Sequence, residues 1–112
     1  MNDVLEEVPR PFIEMAWAAT ITGSIETLVN ELGCSLKDDR DDLDELKTVT
    51  LKCERLLFEL MRYRGEPPNL FSIFIPAQQQ DWEKQLNEVL GILKIPSSRV
   101  YATNSEFMRW PG

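Results

Sequence analysis

The stretch KDDRDDLDELKTVTLKCERLLFELMRYRG, residues 37–65, decides the fold. Read at a helical period, Leu43, Leu46, Thr50, Cys53, Leu57 and Leu60 recur at alternating steps of three and four. Val49 and Leu56 widen the same face. An aspartate-rich start and the basic Arg62 and Arg64 near the end complement a helix dipole at both termini. Gly65 supplies a stop, and Pro67-Pro68 prevents continuation. The spacing therefore predicts one long helix, more than ~30 Å at about 1.5 Å per residue.

Upstream, Ile13, Trp17, Ile21, Ile25, Leu28 and Leu32 repeat at similar steps, with Pro11 suited to a first helical turn and Gly33 to a left-handed stop. Trp17 falls on this apolar stripe and is expected in the core. Thr22-Gly23-Ser24 is the point where this helix would break. The two helices would pair as an antiparallel hairpin over 11–65, after an extended lead-in over 1–10 ending at Pro9-Arg10-Pro11. Downstream, Leu70–Ile75 reads as a strand. A third helix follows from Gln79 to Leu93, with Trp82, Leu86, Val89, Leu90 and Leu93 on one face. Arg99–Thr103 reads as a second strand, parallel to the first through a right-handed crossover. The expected architecture is mainly α (α+β): a single domain over 1–112, with a long helical hairpin, a small β-α-β element over 69–103 and a tail over 104–112.

Composition narrows the chemistry. At 43% hydrophobic and 28% charged residues, the 112-residue chain suits an ordinary globular domain rather than a disordered tail. It contains no histidine, which removes Ser-His-Asp and Cys-His nucleophilic systems and imidazole metal sites. The five glycines are scattered singly, so no phosphate-binding loop is present. Cys34 and Cys53 form no C-x-x-C pair and are expected as reduced thiols, Cys53 on the apolar stripe. No apolar run approaches the ~20 residues of a membrane span. The N-terminus is acidic where a signal peptide is basic, which predicts a cytoplasmic location. No catalytic residue, cofactor or metal is assigned.

The net charge of −7 is unevenly distributed. Twelve acidic residues face three basic ones through Glu45, whereas nine basic residues face seven acidic ones thereafter. Such a surface disfavours phosphate backbones and anionic membranes and favours a cationic protein partner. The densest cluster is Asp38, Asp39, Asp41, Asp42, Asp44 and Glu45. On a helix Asp38, Asp42 and Glu45 share a face and have the donor chemistry for Mg²⁺. Asp42-Leu43-Asp44-Glu45 resembles the first of two acidic motifs that helical nucleotide pyrophosphohydrolases place on neighbouring helices. The second motif is missing, because Glu54 and Glu59, five apart, fall on different helical faces. The leading expectation is a non-enzymatic protein-binding module: an acidic inhibitor, immunity or adaptor protein docking a basic partner. Its contact residues would be Asp38, Asp39, Asp41, Asp42 and Glu45, together with Phe107 and Trp110 of the tail. A small Mg²⁺-dependent phosphohydrolase and a subunit of a homo-oligomeric or larger assembly are the alternatives.

Overall fold

The computed structural model describes residues 5–41, 44–77 and 81–104. Its elements run β1 (Glu6–Val8), β2 (Met15–Thr22), α1 (Ile25–Leu32), β3 (Lys37–Asp41), β4 (Asp44–Cys53), β5 (Leu56–Tyr63), β6 (Leu70–Pro76), α2 (Trp82–Ile92) and β7 (Val100–Thr103). The strands form one sheet in the order β1-β4-β5-β6-β2-β7, with β3 also pairing β4. Every pairing is antiparallel. The expected mainly helical fold is thus overturned: Lys37–Asp41, Asp44–Cys53 and Leu56–Tyr63 are strands, and the described residues contain no helical hairpin.

The cause lies in what covers the sheet. In β4 the run Thr48-Val49-Thr50-Leu51 is buried at every position, so both faces are covered and the period-two alternation that marks a half-exposed strand disappears. With that signal gone, a step of three and four fits the leucines by chance. The β-branched Thr48-Val49-Thr50 carries the strand preference. The β4–β5 hairpin closes through Glu54-Arg55, with Cys53 opposite Leu56. Glu54 takes φ 56, a conformation normally given to Gly or Asn, so the turn carries no sequence signature.

Upstream, Thr22-Gly23-Ser24 separates a strand from a helix. Ser24 caps α1 by accepting from the Thr27 N–H at 3.2 Å, and Gly33 ends it in the left-handed region at φ 75. Trp17 lies in β2 rather than on a helix. Downstream, β6, α2 and β7 occupy the segments read as strand, helix and strand, but β6 and β7 are not neighbours. Both pair antiparallel with β2, which lies between them.

One face of the sheet carries the helices. Val49, Leu51, Phe58, Leu60, Phe71, Ile73, Ile75, Ala19 and Ile21 form a single core there with Ile25, Leu28 and Val29 of α1 and Trp82, Leu86, Val89 and Leu90 of α2. The other face, made by the alternate residues Thr48, Thr50, Glu59, Met61, Ser72 and Phe74, carries no helix among the described residues. A bulge in β2 at Ala18 sets Trp17 opposite Phe74 and Thr20 opposite Ser72, so both side chains share this face. There Trp17 Nε1 donates to Thr20 Oγ1 at 3.0 Å.

Candidate functional site

The helix-free face is crossed by residues 9–14. Strands β1 and β2, which this segment joins, are separated in the sheet by β4, β5 and β6. Four interstrand steps of ~4.8 Å make about 19 Å, close to the reach of six extended residues. The connection is therefore nearly taut. Pro9 and Pro11 suit it by favouring extended backbone. This strap is tied at its far end by the Ala77 N–H donating to the Glu14 carbonyl at 2.9 Å.

Its near end is held by Arg10. The guanidinium Nε donates to Glu59 Oε2 at 2.8 Å and Nη1 donates to Asp39 Oδ2 at 2.7 Å. Glu59, only 1% exposed, also accepts from Thr50 Oγ1 at 3.1 Å. A buried carboxylate needs this company, because its desolvation costs several kcal/mol (order of magnitude) without a paired charge. Partial desolvation of Arg10 opposes its charged form, but the bonds to Asp39 and Glu59 outweigh it, so the guanidinium is held above its ordinary value. Asp39 is held below the usual carboxylate range, first by the Arg40 N–H and then by Arg10.

Between Arg10 and Glu14 the chain is Pro11-Phe12-Ile13. Phe12 is fully exposed and Ile13 is 53% exposed. Beside them, a hollow of about 260 Å³ opens between strap and sheet, walled by Pro11, Ile13, Met15, Met61 and Phe74, with the Arg10–Glu59 pair at one side. An apolar knob thus adjoins a hollow of mixed lining, polar as well as apolar, on a backbone fixed at both ends.

The acidic cluster has a different character from the one expected. Asp38 pairs with Lys47 at 3.0 Å, Asp39 with Arg10, and Glu45 with both Arg64 at 2.6 Å and Arg40 at 3.4 Å. These residues stand on β3 and β4, where cross-strand register brings cations opposite them. Asp41 lies opposite Asp44 in the same ladder. Asp42, Phe107 and Trp110 lie outside the described residues. Among the described residues, no group of three carboxylates or thiols is arranged to hold a metal ion. Two further, separate ion pairs join Arg62 Nη2 to Glu26 at 2.8 Å and Lys37 to Glu7. Neither Cys34 nor Cys53 is in a disulfide, and burial, reinforced by Glu7, pushes the Cys34 thiol up.

Sequence reasoning missed Arg10, Phe12 and Glu59. Glu59 had a signal: a lone carboxylate inside the apolar run Leu56-Leu-Phe-Glu-Leu-Met61 needs a buried partner if that run is a strand. No helix among the described residues is long and apolar enough to cross a membrane. Comparison with protein-family models, with curated proteins and with solved structures finds no match.

Proposed function

We propose that this chain is a non-enzymatic protein-binding module whose contact surface is the strap across the helix-free face, with Phe12 as the anchor. The observation that carries the reading is a fully exposed phenylalanine on a backbone fastened at both ends. An exposed aromatic on a loose loop is unremarkable; one held in place loses little conformational freedom on binding. Burying a phenylalanine side chain contributes ~1.5–3 kcal/mol, and interface energy concentrates in a few such anchors.

The partner we infer carries a basic rim around an apolar pocket. The net charge of −7 favours encounter with a cationic surface. Glu14, exposed next to Ile13, makes no ion pair with a described residue and would meet that rim directly. Asp38, Asp39 and Glu45 are already paired, so they add less local attraction than their number suggests.

The test is affinity capture from the native source with the wild-type chain and with Phe12→Asp, at low and high salt. The reading expects a stoichiometric basic protein on the wild type, weakened by salt and lost with Phe12→Asp. A stoichiometric partner retained equally by both chains would overturn it.

A further inference from the structure

We propose that the hollow between strap and sheet receives a lysine side chain of the basic partner, with its ammonium group on Glu59 Oε1. This inference rests on the strap being a contact surface and names the partner group that enters beside Phe12. The hollow is founded on alternate residues of β5: Glu59, Met61 and Tyr63 share the helix-free face, and Phe74 of β6 stands opposite Glu59. Its volume of about 260 Å³ is below the ~300–1,000 Å³ of a pocket for a drug-sized ligand, and suits a single side chain.

The mixed lining selects an amphipathic side chain. Ile13, Met15 and Met61 offer apolar surface to an aliphatic stem, and Glu59 offers charge to its head. Both hydrogen bonds that hold Glu59 are accepted by Oε2, from Arg10 Nε at 2.8 Å and from Thr50 Oγ1 at 3.1 Å. Oε1 accepts from no described residue, although the side chain is only 1% exposed and lines the hollow. A buried acceptor with no donor is the point at which an incoming N–H gains most.

Charge at the site favours a cation. One guanidinium, Arg10, serves two carboxylates, Asp39 and Glu59, which leaves the trio one negative charge in excess. Tyr63 and Phe74 add aromatic walls, which favour a cationic neighbour over an anionic one. The net charge of −7 acts in the same sense at longer range. Within the cations, an ammonium fits better than a guanidinium. It is a compact charge satisfied by one carboxylate oxygen, whereas the planar fork of arginine matches both, and Oε2 is occupied.

The test is NMR of the chain labelled at its methionine methyl groups, because Met15 and Met61 both line the hollow. The probe is Nα-acetyl-lysine methylamide, with its norleucine and arginine analogues as comparisons, at constant ionic strength up to about 50 mM. The lysine probe should shift both methyl signals with a dissociation constant of roughly 1–10 mM. The norleucine analogue should shift neither, and the arginine analogue should bind at least about 3-fold more weakly. In Glu59→Gln the affinity for the lysine probe should fall roughly 5-fold or more. Unmoved Met15 and Met61 signals in the wild type, or a norleucine or arginine analogue that binds as tightly as lysine, would overturn the proposal without recourse to a variant. A chain that binds the lysine probe while its captured partner ignores Phe12→Asp would sink only the anchor reading. A partner lost on Phe12→Asp from a chain that ignores the lysine probe would sink only this site.

Discussion

Arg10 and Glu59, 49 positions apart in the chain, are joined by a 2.8 Å hydrogen bond between Nε and Oε2. Through it the segment linking the first two strands is fastened to the middle of the sheet. Glu59 stands on β5 between Phe58 and Leu60, whose side chains point to the helices, so its own side chain points to the face the strap crosses. The bond thereby fixes both the course of the strap and the direction in which Phe12 is offered.

Two phenylalanines should respond oppositely to truncation. Phe58 is fully buried beneath the helices, and Phe58→Ala should cost about 3–5 kcal/mol. Phe12 touches little in the free chain, and Phe12→Ala should change stability by no more than ~0.5 kcal/mol. Urea unfolding of the two variants measures both. A comparable loss in each would mean that Phe12 is packed and the strap does not present it.

Gly23 should resist substitution. It sits at φ 145, and an added Cβ would overlap the Arg99 guanidinium, whose Nε donates to the Thr22 carbonyl at 2.8 Å. Arg99 can swing away only by giving up that bond, while the backbone strain stays. Gly23→Ala is expected to destabilise by ~1–3 kcal/mol. A melting temperature equal to that of the wild type would show that the β2–α1 junction is not built this way.

Acid should weaken the fold. Glu7 is held below its ordinary value first by Lys37 and then by the Ser35 N–H, and Glu26 first by its own backbone N–H and, against burial, by Arg62. Asp39 is lowered in the same direction. Each is stabilised in its charged form by folding, so its contribution is complete above the unfolded pKa, about 4 to 4.5. It is lost as pH falls through the lower folded value. Unfolding midpoints should be level from about pH 7 to pH 5 and should drop below about pH 4.5. The groups are exposed enough for each increment to be small. Stability that rose on acidification through pH 4 would contradict these assignments.

The sequence was legible where local signals were undivided. The break at Thr22-Gly23-Ser24 and the stop at Gly33 bracket α1, and the spacing of Trp82, Leu86, Val89 and Leu90 marks α2, which buries a single stripe. Leu70–Ile75, apolar and β-rich between prolines, reads as a strand and lies within β6. The failures were non-local. β4 and β5 are covered on both faces, and their leucines lose the alternation that would separate them from a helix. Ile13, next to Phe12, looked like the start of an apolar helical stripe because nothing local shows that Arg10 is tied to Glu59. The acidic cluster was visible as composition, but its neutralisation by Arg10, Arg40, Lys47 and Arg64 depends on a register no spacing within 37–45 encodes.

The most direct measurement of the account is a double-mutant cycle on the strap's fastening, using Arg10→Ala, Glu59→Gln and the pair, each unfolded in urea. Removing Arg10 alone strands a buried carboxylate and should cost roughly 2–4 kcal/mol. In the Glu59→Gln background the same change should cost much less, leaving a coupling of about 1–3 kcal/mol. That result is predicted if Arg10 pins the strap through Glu59. An Arg10→Ala cost that is the same in both backgrounds would contradict it, and with it the fixed presentation of Phe12.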